Sequence, residues 1–255
     1  MSKLNDEIME HRQAWPKPPW VWSVTLDDKL AAGIEQQVAR RLKAGGNLRG
    51  WKIGGNDLGA RTRWGVESCV FGYLTDATCH TGDQTFAIGD AACAAVEPEI
   101  WIEVIADLSG EEPPDQVALA IGRTGLAAEI IDMRGRFDDI TAVLADNIFH
   151  RAATFAAPVR RLGLDDLGTQ LLTASRNGHE HWRLPATTLV PDLSEVVAFV
   201  AAGLSRRGER LRAGELILSG VLTPLPIWVQ PGDLVVLKAG DLGALNLTFT
   251  GGETQ

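Results

Sequence analysis

The chain has 255 residues, 45% hydrophobic and 22% charged, with 24 Lys+Arg against 33 Asp+Glu, a formal charge of −9 and a pI near 5.1. That length suits one large domain or two small ones and is enough to bury a sizeable core. The acidic balance excludes a phosphate-backbone binder, and no apolar run approaches the roughly 20 residues of a membrane helix. The opening MSKLNDEIMEHRQAW has no apolar core and is too acidic for a signal or transit peptide. Cys69, Cys79 and Cys93 cannot all pair and lack zinc-finger spacing. The expectation is a reduced, cytoplasmic protein with neither a nucleic-acid nor a membrane partner.

Near the N-terminus, Trp15, Trp20 and Trp22 sit among Pro16, Pro18 and Pro19. Prolines block helix and indoles need burial, so this segment reads as an arm packed on its own domain or on a neighbouring subunit. A helix follows: Thr25 and Asp28 form a capping-box pattern, and Leu26, Leu30, Ile34, Val38 and Leu42 share one face before Gly45 and Gly46 end it. Residues 1–46 are thus an arm and helix on a single domain covering 1–255. Strands are predicted at Gly50–Ile53, Ala94–Ile105, Gly125–Ile131, Leu216–Leu218, Leu234–Leu237 and Ala244–Phe249. A short helix is expected over Asp138–Ala145. A longer one begins at Asp192 and Glu195, carries Val196, Val197, Val200 and Leu204, and stops near Gly208. Pro231-Gly232-Asp233 is a turn. Strands outnumber helices without alternating with them, which gives an α+β class.

The segment Val96-Glu97-Pro98-Glu99-Ile100-Trp101-Ile102-Glu103 carries the most chemistry. In a strand, residues two apart share a face, so Glu97 and Glu99 project together and repel unless a cation sits between them. The same pattern suits a solvated strand face with Glu103 on the same side. Glu129, alone in the apolar run Leu126–Ile131, is either outward-facing or buried with a partner. Three carboxylates with no His or thiolate suit a hard cation, Mg²⁺ before Mn²⁺ or Ca²⁺. Lys52, followed by Gly54 and Gly55, suits an ammonium presented into a cleft or one snorkelling to solvent. Asp146-Asn147 suits a turn and cap. His179-Glu180-His181, in a Gly-containing loop, is a weak metal motif for want of a third ligand.

Taken together, these segments resemble the 2-keto-4-pentenoate hydratase family within the fumarylacetoacetate hydrolase superfamily. The matching pieces run in order: Gly50–Gly54, Phe71–Asp76, Val96–Ile100, Ala128–Arg134, Ala145–Asn147, Ile217–Thr223, Pro231–Asp233 and Leu242-Gly243. The resemblance implies a mixed β-roll of the superfamily's C-terminal type with flanking helices. It implies a divalent metal, Mg²⁺ with Mn²⁺ as substitute, on Glu97, Glu99 and Glu129, and Lys52 as the active-site lysine. It also places Gly54, Asn147, Phe149, Ser219 and Gly220 around the substrate. The activity implied is that of a lyase, hydratase-like or decarboxylase-like, acting on a short 2-oxo or 2-hydroxy-dienoic acid of aromatic catabolism through a metal-chelated enolate, in a homo-oligomer. A C–C hydrolase or tautomerase on the same platform, or a catalytically altered partner subunit, is the alternative.

The chain departs from that pattern at three places. Val70 stands where hydratases carry an Asp two residues before the Phe-Gly match. Ile148-Phe149-His150 replaces small and hydroxyl residues, and Arg176–Trp182 replaces a Ser/Gly-rich substrate loop. His150 is therefore the first choice for a replacement proton carrier, with His179 and His181 second, although a turn residue bonded to backbone would look the same. Phe149 and Trp182 predict a bulkier or aromatic-bearing oxo acid.

Overall fold

The computed structural model describes residues 28–252, apart from 45, 136, 137, 160, 161, 189 and 191. The tryptophan–proline arm and the Thr25 capping residue lie outside the described residues.

Helix α1 (Asp28–Ala44) leads into β1 (Leu48–Gly54), α2 (Leu58–Trp64), β2 (Val70–Thr75), β3 (Cys79–Thr81), β4 (Gln84–Ala87) and the long β5 (Ala94–Val104). Then come α3 (Pro114–Leu119), β6 (Ile121–Asp132), α4 (Ile140–Ala145), β7 (His150–Phe155), β8 (Leu171–Arg176) and β9 (His179–Pro185). The chain ends with α5 (Leu193–Ser205), β10 (Leu216–Leu218), β11 (Ile227–Trp228), β12 (Leu234–Ala239) and β13 (Ala244–Thr250). Two mixed sheets result. One runs β2-β1-β10-β5-β6-β7-β3 with β11 paired to β5, and the other runs β4-β13-β12-β8-β9. This is the expected α+β fold with flanking helices.

The alternation along β5 and β6 decides where everything else goes. Val96, Ile100, Ile102 and Val104 of β5, with Leu126, Ala128 and Ile130 of β6, join Val235, Leu237, Leu245, Leu247 and Phe249 of the second sheet in the main core. The opposite face carries Ala95, Glu97, Glu99 and Trp101 of β5 and Ala127, Glu129 and Ile131 of β6. Its apolar members fall into two smaller clusters on either side of the carboxylates: Ala95 and Ile131 with Ile148, Phe149 and Leu144, and Trp101 and Ala127 with Phe155 and Leu218. The sheet therefore buries apolar groups on both faces, and the glutamates interrupt only one of them.

The helices follow their caps. The Asp192 carboxylate accepts the Ser194 N–H (2.7 Å) at the start of α5, which buries Val196, Val197, Phe199, Val200 and Leu204. Burying each such side chain contributes about 1.5–3 kcal/mol. Asp139 caps α4 in the same way through Thr141 N. Where a loop was expected at Arg176–Trp182, the structure has the β8–β9 hairpin. Asn177 and Gly178 both adopt left-handed φ values (52° and 79°) in its turn. Asn-Gly between strands is the sequence signature of that turn, and the polar flanks hid it.

Gly50 shows how closely the strand carrying Lys52 must be approached. Its φ is 155°, and a Cβ there would stand 1.9 Å from the Leu216 carbonyl oxygen of the parallel strand β10. Gly50→Ala is expected to open that pairing and to destabilise the protein by about 3 kcal/mol or more in urea unfolding. An unchanged midpoint would show that β1 can shift without cost.

Candidate metal centre and active site

Register brings the glutamates together. Across the antiparallel β5–β6 pair Glu97 faces Glu129 directly, and Glu99 lies two residues along β5 on the same face. Like charges placed opposite each other repel, so this rung is costly unless something neutralises it. Ligand atoms of Glu97, Glu99 and Glu129 all lie within 4.8 Å of one another, the one such cluster of His, Cys, Asp or Glu among the described residues.

Lys52 supplies one positive charge. It is 1% exposed, with Nζ 2.6 Å from Glu129 Oε1 and donating to the Ile148 carbonyl at 3.0 Å, so it does not snorkel to solvent. His150 Nδ1 meets the same Oε1 at 2.7 Å, and its Nε2 meets Thr78 Oγ1 at 3.0 Å. Glu99 Oε2 accepts the Gly220 N–H (2.7 Å). Among the described residues, Glu99 Oε1 and Glu129 Oε2 have no hydrogen-bond partner although both are buried. Two orphaned carboxylate oxygens beside a third carboxylate, all hard donors with an excess of negative charge, fit a divalent cation.

The charges respond as that geometry dictates. Burial and the facing Glu129 push Glu97 up to about 8, and burial with both neighbouring glutamates raises Glu99 well above the ordinary carboxylate range. Burial alone would raise Glu129 too, but Lys52 and His150 at Oε1 more than offset it and hold Glu129 below that range.

A strained turn sets the lysine's second partner. Asn147, Ile148 and Phe149 have consecutive left-handed φ values of 55°, 55° and 63°, a conformation costing about 1–3 kcal/mol for each residue that lacks a glycine's freedom. The turn is held because Asn147 Oδ1 accepts Tyr73 N–H and its Nδ2 donates to Tyr73 O, both at 2.9 Å. Ile148 N–H bonds to Val143 O (2.8 Å) and Asp132 N–H to Phe149 O (2.9 Å). Gly72 is required beneath it, since a Cβ there would stand 2.5 Å from Asn147 Oδ1.

A cavity of about 350 Å³ opens above this floor, lined by Lys52, Gly54, Glu97 and Phe149 among the expected residues. The others act behind it. Both ends of the Asn147 amide are spent on Tyr73. Ser219 Oγ accepts Ile100 N–H (3.1 Å) and donates to Gly220 O (3.2 Å), while Gly220 holds Glu99. His150 is not among the lining residues; its imidazole stands behind Glu129, bonded to the Glu129 and Thr78 side chains, while its backbone N–H bonds to Asn147 O in the turn (3.2 Å). Val70 faces a separate cavity bounded by α1, β2 and α5. Trp182 packs against the main core from the second sheet, and His179-Glu180-His181 lies on β9, with Glu180 paired to Arg183. Neither segment reaches the cavity. Glu103 pairs with Arg123 at 2.9 Å and is apart from the cluster.

Sequence reading missed Asn56, Asp57, Arg63 and Trp64 around α2, together with Met133, Pro224, Leu225, Pro226 and Trp228, all of which line the cavity. Asp57 carried a signal, three residues before the Ala60 N–H that it caps (2.8 Å). Pro224-Leu225-Pro226 carried another, as a rigid segment following the Ser219-Gly220 match.

No family model matches the chain. It is 29% identical to the 2-keto-4-pentenoate hydratase of Paraburkholderia xenovorans over 89% of this chain and 84% of that protein. It is 27% identical to a 4-oxalocrotonate decarboxylase of a Pseudomonas species, over 96% and 95% respectively. In three dimensions it matches the 4-oxalocrotonate decarboxylase of Pseudomonas putida G7 solved with magnesium and adipate. That match has a TM-score of 0.76 at 24% identity and covers 98% of this chain and 99% of that one. Sequence and fold agree in what the chain is similar to: 2-keto-4-pentenoate hydratases and 4-oxalocrotonate decarboxylases in sequence, and the decarboxylase in fold.

Proposed function

We propose that the protein is a divalent-metal-dependent lyase acting on a short 2-oxo or 2-hydroxy-dienoic acid, in the manner of a hydratase or decarboxylase. One observation carries this reading: three carboxylates, two of them with an unpartnered oxygen, converge beside one cavity, which Glu97 lines with Glu99 and Glu129 buried behind it, next to a lysine that can balance only one of them. A divalent cation held by Glu97, Glu99 and Glu129, Mg²⁺ with Mn²⁺ as a substitute, would supply Lewis-acid stabilisation of negative charge developing on the substrate's 2-oxygen.

The chain's own groups have separable tasks. Lys52 spends two of its three donors on Glu129 and Ile148, which leaves one for the substrate's carboxylate or 2-oxygen. Its positive charge also admits an anion to a site rich in carboxylates. By occupying Oε1 of Glu129, Lys52 and His150 leave Oε2 to serve as the ligand oxygen. His150 is in this reading a positioning residue rather than a proton carrier to carbon. Ile131, Ile148, Phe149 and Val221 give the cavity an apolar wall that limits water. The thiols of Cys69, Cys79 and Cys93 are all free, which fits a reducing compartment, and we place the enzyme in the cytoplasm.

Wild-type protein is expected to turn over at least one of 2-hydroxypenta-2,4-dienoate and 4-oxalocrotonate with Mg²⁺, and exhaustive chelation should abolish this. Glu97→Gln and Glu129→Gln should lower metal affinity with the fold retained, and Lys52→Met should cost about 10²–10³ in kcat/KM. Activity surviving chelation would end the metal reading.

Stability should follow the same charges. Raised folded-state pKa values stabilise below the unfolded value of 4.5 and lose that contribution as pH climbs towards about 8 for Glu97. Glu129 has the opposite sign and acts only on the acid side of 4.5. The Tm of the chelated protein should therefore fall from pH 5 to pH 8, and Mg²⁺ or Mn²⁺ should raise it more at pH 8, where the ligands give up their protons more easily. A flat, metal-insensitive Tm over that range would contradict the account.

A further inference from the structure

The floor of the cavity changes character within one step of the β5–β6 ladder. Glu97 faces Glu129; two residues towards the start of β5, Ala95 faces Ile131. Both rungs point to the same face, about 7 Å apart along the strand. The apolar rung belongs to a cluster with Ile148 and Phe149, against which Trp64 and Met133 pack.

Strand β11 extends that rung. Trp228 is the direct antiparallel partner of Ala95, so its indole stands on the carboxylate face beside Ala95 rather than beside Glu97. Its backbone is held on two sides, by β5 and by Arg176 Nη1, which donates to the Trp228 carbonyl. The preceding lip is equally rigid. Pro224 and Pro226 flank Leu225, Thr223 Oγ1 donates to Leu225 O (3.0 Å), Leu222 N–H to Pro98 O (2.8 Å), and Asn56 Nδ2 to Val221 O (2.8 Å). Yet the side chains of Leu225 and Trp228 remain 54% and 44% exposed. Large apolar groups held rigidly at a cavity mouth, next to an apolar floor, make a surface complementary to an apolar ligand.

We infer that this rung and lip form a tail subsite that selects 2-oxo acids whose distal end is an uncharged aryl or branched alkyl group, with Trp228 and Leu225 as the specificity-determining side chains and Phe149 as the facing wall. The inference rests on reading the carboxylate floor as the site of the 2-oxo acid head. The head at Glu97 then leaves its fourth and later carbons at the Ala95–Ile131 rung. A terminal carboxylate there would lose its hydration against Trp228, Leu225 and Phe149. Arg63 also lines the cavity, so the competing arrangement is a distal carboxylate on its guanidinium.

The test is calorimetric binding of three unreactive saturated acids to the full chain in Mg²⁺: pyruvate, 2-oxo-4-phenylbutanoate and 2-oxoadipate. The phenyl acid should bind about tenfold or more tightly than either of the others. Trp228→Ala and Leu225→Ser should each shrink the phenyl-to-pyruvate affinity ratio about three- to tenfold, whereas Trp182→Ala should keep the wild-type ratio. The tightest binding by 2-oxoadipate would overturn the inference in favour of Arg63, as would a ratio within about twofold of wild type in both lip variants. Turnover of a phenyl-ended 2-oxo-4-enoic acid is followed in parallel. Graded binding without turnover supports the subsite and removes the lyase reading. Turnover without tail preference removes the subsite alone, and no binding by any of the three acids overturns both.

Discussion

Two carboxylates placed opposite one another on neighbouring strands, Glu97 on β5 and Glu129 on β6, impose the constraint around which the rest of the site is arranged. A rung with Glu129 fully buried and Glu97 half-buried loses hydration and adds repulsion, so it persists only where compensating charge is built in. The protein divides that compensation. Lys52 and His150 share a single oxygen of Glu129, and that carboxylate stays ionised; Glu97 and Glu99, further from the ammonium, are driven towards their protonated forms. If these carboxylates hold the proposed cation, one glutamate of fixed charge and two that must release protons to bind it would make the metal affinity depend on pH.

Holding the lysine in this way demands a backbone carbonyl at an unusual place, and the Asn147–Phe149 turn provides it. Three successive left-handed residues, one of them β-branched, would not persist in an isolated peptide. They persist here because the Asn147 amide clamps both backbone groups of Tyr73 and because Gly54 and Gly72 leave room: a Cβ at Gly54 would stand 2.7 Å from Ile148 Cγ2. Strain next to the carboxylate floor is thus supported by strand β2, which does not itself contribute to the cavity. Gly54, which the resemblance places beside the substrate, also admits this turn.

The same strand alternation separates the cavity's two chemical halves. Glu97 and Ala95 are neighbours on one face of β5, so a ligand whose polar head sat at Glu97 would meet a different rung of the same ladder with its carbon tail. No mobile loop is needed to create the boundary between them, which is set by hydrogen bonds of the sheet.

Local patterns alone carried a good deal of this protein. The E-x-E spacing places Glu97 and Glu99 on one face of any strand, Asp192 announces the helix it caps, and the strands at Leu216–Leu218 and Ala244–Thr250 follow from short-range apolar pattern. Lys52 and Glu129 stand out as lone charged residues in apolar runs, and the resemblance gave them their expected roles. Pairing register and packing decided the remainder, because each of those contacts joins segments distant in the chain. Lys52 meets Ile148 across 96 residues, and Gly220 meets Glu99 across 121. A one-residue slip of β6 would have turned Glu129 into the main core. Nothing local in the sequence tells that Val70 faces a different cavity, that Trp182 belongs to the second sheet, or that His150 stands behind Glu129 rather than over a substrate. Trp228 reaches the cavity only through its pairing with Ala95. Residue type and spacing fix which side chains share a face; which faces meet is settled when the sheets close on their cores.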